Sequence, residues 1–178
     1  MCKFEQIQIN PESLNIENLH YISSILKCFN KYSKYLHDDF TSNDGIEYIL
    51  HSIPYLWAVC DYNNNFMGFV SLDNFTGNKY KSFCAELTTC FHPKAWGVFT
   101  RYSAKIFLKK CFDQFGLYKI KALIFPDNYR VKTLLKSAGF EYETTLPKDT
   151  VRNNKLQDIE VYSIYRSYYY KNEVNNYD

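Results

Sequence analysis

The chain has 178 residues, of which 46% are apolar and 19% aromatic, and its formal net charge is +2 at pH 7. This length predicts one domain that buries about 70% of the surface exposed by the unfolded chain. So small a charge argues against nucleic acid or a membrane surface as a partner, and no stretch resembles a membrane-spanning helix. The first five residues do not begin a signal peptide. We therefore expect a globular, cytoplasmic protein.

The first half of the chain predicts a strand, a helix and a hairpin. Residues 4–10 alternate between polar and apolar types, and residues 16–29 carry apolar side chains at helical spacing. Residues 31–40 mix bases with aromatics, which fits either an acceptor or nucleic-acid surface or, as we favour, a solvated helix end and loop. Strands at 56–60 and 66–72 flank the Asn-rich turn at 61–65 and predict a hairpin.

The central stretch, residues 85–140, predicts strand, turn, helix, strand and helix in that order. The first helix places its apolar residues on one face: Thr100, Ala104, Phe107, Leu108, Cys111 and Phe115. The second follows Pro126-Asp127-Asn128 and ends at Gly139, with these residues on one side: Val131, Leu134, Leu135 and Ala138. Asn as N-cap and Gly just past the end suit helix termini. Strands at 141–146 and 157–166, joined by a polar loop, complete the pattern.

The turn before the first of these helices is a candidate anion site. A strand that passes directly into a helix leaves unpaired backbone N–H groups at the positive end of the helix dipole. Lys94 adds a positive charge beside Trp96 and Gly97. An ordinary strand-to-helix connection explains the same residues, so the turn alone does not decide between the two.

The stretch resembles the GNAT N-acetyltransferases, particularly the branch of the ribosomal-protein alanine acetyltransferases. The residues that carry the resemblance are Glu86, Pro93, Trp96, Gly97, Lys119-Ile120-Lys121-Ala122, Pro126, Asn128, Leu134, Leu135, Gly139, Phe140, Asp158 and Tyr162-Ser163. The resemblance runs from about residue 56 to residue 166. It implies an α/β (α+β) fold, with a mixed, mostly antiparallel, splayed sheet flanked by helices.

The resemblance also implies acetyl-CoA as the cofactor and an amine as the acceptor. Glu86 would be the catalytic base, acting directly or through a water. The pyrophosphate would lie on the N–H groups of Trp96 to Thr100, and the N–H of Cys90 or Phe91 would hold the thioester oxygen. Asn128 would bond the pantetheine arm or the adjacent strand. The implied cofactor-binding residues are Cys90, Phe91, Lys94, Trp96, Gly97, Val98, Phe99, Thr100 and Asn128.

Three residues depart from the family pattern. Phe99 replaces the second small residue of the pyrophosphate loop, where a large side chain could block the approach of phosphate to backbone. Val131 stands where the family has Ser, and Leu135 stands where a Tyr often protonates the departing thiolate. These departures leave a second hypothesis open, a GNAT-fold protein without chemistry that serves as a structural or adaptor subunit, such as a phage virion connector or ring protein.

The chain ends in a polar, Tyr-rich tail at residues 167–178, which we expect to be disordered unless a neighbouring subunit holds it. The sequence thus predicts a GNAT-like domain at residues 1–166 and a tail that could mediate oligomerisation. Six cysteines occur without a C-x-x-C pair, so we expect reduced core thiols. Cys84, Cys90 and His92 lie close in sequence but lack a second ligand pair, and we expect no metal site.

Overall fold

The computed structural model describes residues 2–8, 16–32, 47, 51–78 and 81–174. The strands are β1 (Cys2–Gln6), β2 (Leu56–Asp61), β3 (Phe66–Asn78), β4 (Lys81–Phe91), β5 (Lys119–Ile124), β6 (Glu141–Arg152) and β7 (Lys155–Tyr165). The helices are α1 (Ile16–Tyr32), α2 (Val98–Asp113), α3 (Tyr129–Ser137) and α4 (Arg166–Val174). The sequence also predicts a short helix through His51, capped by Asn43 or Asp44, and most of that stretch lies outside the described residues. Residues 33–40 and 175–178 lie outside them as well.

The seven strands form one sheet in the order β1-β2-β3-β4-β5-β7-β6. Every neighbouring pair is antiparallel except β4 and β5, which run parallel. These two strands pair only from Cys84 to Glu86 with Lys119 to Lys121, and beyond that point they diverge. The mixed, splayed sheet flanked by helices confirms the predicted fold class.

Helices cover both faces of the sheet. The larger core packs α2, α3 and α4 against one face, and it includes Ala85 of β4 and Ile120 of β5. A smaller core packs α1 against the other face, where Phe29 meets Phe69 and Cys90. Because side chains alternate along a strand, the odd-numbered residues of β4 face α2 and the even-numbered residues face α1. This alternation decides on which side of the sheet each candidate site residue lies.

The residues of the predicted apolar faces are buried or half-buried, although Phe115 lies just past the end of α2. In α2, Thr100, Phe107, Leu108 and Cys111 are buried, and Phe112, which the sequence did not single out, joins them. In α3, Asn128 is the N-cap, and its side-chain oxygen accepts the Val131 N–H at 3.4 Å. Both helices therefore form where local spacing and capping predict them.

The strands after α3 are longer than predicted. Residues 147–156, predicted as a polar loop, instead complete a long β6-β7 hairpin. Its two-residue turn is Asn153-Asn154, with φ of 54° and 59°, a conformation that Asn tolerates better than most residues. The pairing slips between Leu146 and Thr150, so the polar residues there form an irregular ladder. A polar composition alone did not separate a loop from an exposed hairpin.

The described part of the Tyr-rich tail forms a helix that packs on the rest of the domain. The Tyr169 side chain is 6% exposed, and its ring lies 5.2 Å from that of Phe112. Tyr170 donates a hydrogen bond to Asp113. Packing on the larger core and the bond to Asp113 therefore hold the described part of this segment on its own domain.

Candidate active site

The gap between β4 and β5 exposes backbone groups of β4. The N–H of His92 donates to the carbonyl oxygen of Met67 at 2.9 Å, so the backbone of His92 points towards β3. Backbone direction alternates along an antiparallel pair, so Cys90 also points to β3, whereas Thr89 and Phe91 point into the gap. Of the two N–H groups proposed for the thioester oxygen, this geometry favours that of Phe91.

The turn between β4 and α2 leaves N–H groups at the helix start. Residues Pro93–Ala95 form a single 3-10 turn, in which the N–H of Trp96 donates to Pro93 O at 3.1 Å. The first bond of α2 runs from Arg101 N–H to Gly97 O at 3.1 Å, and no side chain in the described part of the protein caps this end. The donors available to an anion therefore run from Gly97 to Thr100, and Trp96 is not among them.

Space is open beside Gly97. Its φ is 99°, which favours glycine, and a Cβ built there would meet no atom of the described residues within 4 Å. The indole N–H of Trp96 donates to Phe91 O at 3.1 Å and so ties the turn back to β4. The guanidinium of Arg130, at the start of α3, stacks on the Trp96 ring at 3.7 Å. Gly97 and the uncapped N–H groups thus border one open position, and the neighbouring Trp96 ring carries the Arg130 guanidinium.

The Phe99 side chain does not close this position. It is half-buried and packs against the larger core beneath α2. Val98, in contrast, is 76% exposed. The departure at Phe99 therefore preserves the approach to the backbone at Gly97, because the ring points towards the core.

A pocket extends from the gap between α2, α3 and the sheet, with an empty volume of about 830 Å³ that includes space open to solvent. Of the implied cofactor-binding residues, Phe91, Thr100 and Asn128 line it. Those not foreseen are mostly apolar: Phe4, Val70, Leu87, Thr88, Thr89, Ser103, Ala104, Phe107, Leu108, Ala122, Leu123, Ile124, Val131, Leu134, Leu135, Ala138 and Phe140. The spacing of these residues along the helices and strands predicted that most of them are buried. It did not predict that they line a pocket.

Glu86 lies on the opposite face of the sheet from this pocket. Its number is even, so its side chain faces the α1 side, and Glu86 is the last residue of β4 that pairs with β5. The side-chain amide of Asn74 donates to Glu86 Oε2 at 2.7 Å and fixes the carboxylate. The gap between the strands joins the two faces, so a base on one side can act on a group presented from the other.

Two contacts at this site could not have been found in the sequence. Asn74 of β3 reaches Glu86 of β4, and Arg130 reaches Trp96, each through tertiary proximity alone.

Cys28 and Cys90 bring their sulfurs to 3.7 Å across the α1 interface, with both side chains buried. Within the described residues, no three His, Cys, Asp or Glu side chains are grouped as a metal site would require. No helix among those described is long and apolar enough to cross a membrane.

The fold is similar to solved acetyltransferase structures over nearly its whole length. Spermidine N-acetyltransferase from Vibrio cholerae, in complex with CoA and spermine, is 21% identical with a TM-score of 0.73, covering 95% of this chain and 98% of that one. A GNAT-family acetyltransferase from Bacillus anthracis is 16% identical with a TM-score of 0.71, covering 93% and 95%. No curated protein matches significantly. The family model of the acetyltransferase (GNAT) domain matches residues 23–141, two-thirds of the chain. This chain therefore belongs to the GNAT acetyltransferase family.

Proposed function

We propose that the protein is an N-acetyltransferase that uses acetyl-CoA and transfers the acetyl group to an amine of a protein or small molecule. The observation that carries the proposal is the open approach to the uncapped start of α2, with the Phe99 ring turned away. Family membership and the similarity to a CoA-bound spermidine acetyltransferase support the same reaction class. The branch within the family remains a prediction.

The residues present fit the cofactor. The N–H groups from Gly97 to Thr100 would hold the diphosphate, and the absence of a Cβ at Gly97 leaves room for it. Lys94 and Arg130 would add positive charge near the N-terminus of α2, where the diphosphate would lie. Asn128 and the apolar lining of the pocket would hold the pantetheine arm, although the capping bond from Val131 N–H occupies the side-chain oxygen of Asn128.

When bound, acetyl-CoA supplies a thioester carbonyl that is activated for attack by an amine. The N–H of Phe91 points into the gap and is the candidate donor to an oxygen that gains negative charge, a term worth about 3 kcal/mol. The indole N–H of Trp96 donates to the Phe91 carbonyl at 3.1 Å and so orients the peptide unit that directly follows the candidate donor.

Glu86 is the candidate base. An ammonium group has no lone pair, so the acceptor must lose a proton before it attacks. Asn74 bonds one oxygen of the Glu86 carboxylate, and among the described residues the other oxygen is available. It faces the α1 side, from which the acceptor would enter.

No tyrosine stands at the position of the general acid that would protonate the departing thiolate. Leu135 lines the pocket where the family often has Tyr, and none of the described lining residues is a tyrosine. The hydroxyls of Thr100 and Ser103 donate to Ala95 O at 2.6 Å and Thr100 O at 3.0 Å. We therefore assign the return of the proton to solvent.

The test combines binding with turnover. Calorimetry with acetyl-CoA should give a dissociation constant in the micromolar range, and acetyl transfer to a panel of polyamines, amino acids and peptide N-termini should be detectable. In Glu86→Gln, binding should persist while kcat falls by about 10²-fold or more. Glu141→Gln, an exposed carboxylate at the start of β6, is the matched control and should leave both unchanged.

If the folded protein shows neither a heat of binding nor a shift in its unfolding temperature with millimolar acetyl-CoA, this function is excluded. Equal kcat in Glu86→Gln and wild type would leave the reaction in place but remove Glu86 as its base. The structural-subunit hypothesis gains no support from the comparisons.

A further inference from the structure

Three charged side chains stand in a row on the face of the sheet from which the acceptor would enter. Asp73 of β3 pairs with Glu86 of β4, and Glu86 pairs in turn with Lys121 of β5. We infer that this row recognises a zwitterion, so that the acceptor is an α-amino acid whose carboxylate binds Lys121 while its amine lies beside Glu86. This inference rests on the proposed function, since it assumes that Glu86 serves the acceptor amine.

Strand alternation places the three side chains on the same side of the sheet. Their neighbours along the strands belong to the larger core on the other face: Leu72, Ala85, Ile120 and Ala122. Asp73, Glu86 and Lys121 therefore point to the α1 side. Burial raises the pKa of the Cys84 thiol on this side, the charge of Lys121 lowers it and that of Glu86 raises it, so both charges lie close by.

Lys121 is a half-buried cation without an acid of its own. Among the described residues it makes no ion pair and no hydrogen bond. The carboxylate of Glu143 uses one oxygen for Lys119 at 2.5 Å and the other for Ser163. A half-buried ammonium group has lost part of its hydration, and a bound carboxylate would replace it with a charge-assisted hydrogen bond. Lys121 is therefore the candidate binding residue for an anionic group of the acceptor.

The spacing of Glu86 and Lys121 suits an amine and a carboxylate that are joined through one carbon. Paired positions on neighbouring strands are about 4.8 Å apart. The nitrogen and the carboxylate carbon of an α-amino acid are about 2.5 Å apart. The two ends of such an acceptor can thus lie above adjacent strands, each within reach of one long, oppositely charged side chain.

The order of the charges also argues against a polyamine. The amine end of the row has two acids, Asp73 and Glu86, on adjacent strands. The next strand carries Lys121, which would repel a second ammonium group and attract a carboxylate. A row that runs from negative to positive matches an acceptor whose own charges run from positive to negative.

The row lies beside the gap in which the thioester would lie. Glu86 and Lys121 form the last pair before β4 and β5 diverge. Thr88 and Leu123, two residues further along the same face, line the pocket that extends from the gap. An acceptor held by Glu86 and Lys121 would therefore lie next to the opening between the strands.

The experiment compares the common amino acids with their amides as acceptors for the full chain at saturating acetyl-CoA. An amide keeps the amine and the side chain but removes the negative charge, and lysine with cadaverine gives a second pair that differs by the carboxylate alone. Rates are compared at equal concentrations of unprotonated amine. In wild type we expect kcat/KM to be about 10- to 100-fold higher for the preferred amino acids than for their amides, as a hydrogen bond between charged groups would give.

Lys121→Gln removes the charge and keeps a long polar side chain. The KM for amino acids should rise by about 10-fold or more, while the KM for amides and the dissociation constant of acetyl-CoA should stay unchanged. Lys121→Glu should reverse the preference within the second pair, from lysine to cadaverine. Lys155→Gln, at an exposed position at the start of β7, is the matched control and should behave as wild type.

Equal kcat/KM for amino acids and amides in wild type would overturn this inference and leave the proposed function standing. An equal loss for both in Lys121→Gln would do the same, as would binding of acetyl-CoA without acetylation of any amino acid. If Lys121→Gln does not fold, as judged by circular dichroism, the comparison in wild type decides. Failure of the folded wild type to bind acetyl-CoA would overturn the proposed function and this inference with it.

Discussion

Gly68 of β3 lies against Phe91 of β4 at a distance that no other residue could tolerate. A Cβ built on Gly68 would be 2.8 Å from the Cα of Phe91 and 2.4 Å from the carbonyl oxygen of Cys90. This contact occurs where β4 has already left β5, so among the described strands only β3 pairs with the part of β4 that carries the candidate N–H donor. The close approach therefore supports the edge of the candidate site.

Gly68→Ala should destabilise the fold and disturb the site together. The inserted methyl group must push β4 away from β3, at a cost of about 2–3 kcal/mol, and the peptide of Phe91 shifts with it. Urea denaturation and calorimetry with acetyl-CoA measure the two effects. Gly116→Ala is the control, because its φ of 65° is also unfavourable for Ala but nothing lies within 4 Å of the new atom. Equal losses in the two variants would show that the contact with Phe91 is unimportant.

Trp96→Phe should weaken cofactor binding without unfolding the protein. The substitution keeps a ring for Arg130 to stack on but removes the N–H that donates to Phe91 O. A hydrogen bond of this kind is worth about 0.5–1.5 kcal/mol, so the dissociation constant for acetyl-CoA should rise roughly three- to tenfold. Tyr129→Phe, at a 73% exposed position beside Arg130, should not change it. If Trp96→Phe leaves the dissociation constant for acetyl-CoA unchanged, other contacts fix the turn between β4 and α2.

Glu143 should contribute a pH-dependent part of the stability. Lys119 donates to its carboxylate at 2.5 Å and Ser163 donates to its other oxygen, and these bonds hold the pKa of Glu143 below its ordinary value of 4.5. A carboxyl whose pKa is lowered by folding stabilises the native state above its unfolded pKa, and this contribution is lost as pH falls through the folded pKa. Because the Glu143 side chain is 37% exposed, the contribution should be at most about 1 kcal/mol.

The measurement is the free energy of unfolding of wild type and Glu143→Gln between pH 7 and about pH 3. Wild type should be the more stable at neutral pH, and the two curves should converge on the acid side. Glu141→Gln, exposed on the same strand, should follow wild type at every pH. A constant difference between wild type and Glu143→Gln down to the lowest pH would contradict the assignment.

Tyr169→Ala should destabilise the monomer. The side chain is buried against Phe112 and its hydroxyl donates to the Lys105 carbonyl at 3.3 Å, so truncation leaves a cavity in the larger core. Large-to-small changes of an aromatic core residue cost about 3–5 kcal/mol. Thermal unfolding measures the loss, and Tyr168→Ala, at a 50% exposed neighbour, is the matched control. If Tyr169→Ala instead changed the oligomeric state at constant monomer stability, the tail would serve as an interface.

Much of the fold follows from local spacing. The burial of Phe107 and Leu108 on α2, the cap at Asn128 and the strand-turn-helix entry at Gly97 were all predicted from residues close in sequence. Helix periodicity and capping depend on neighbours within a few positions, so a single sequence contains the information. The length of the β6-β7 hairpin was not predicted, because a solvated polar ladder and a polar loop have the same composition.

The candidate site depended on pairings between distant residues. Sequence named Glu86 and the Gly97 turn, yet strand register alone decides that Glu86 faces α1 and that Phe91, rather than Cys90, presents its N–H to the gap. Packing beneath α2 decides that the Phe99 ring turns to the core and leaves the approach to Gly97 open. The sequence by itself thus determined the elements and the candidate residues. The tertiary structure decided their directions, since the direction of a side chain or peptide depends on which distant strand or helix lies beside it.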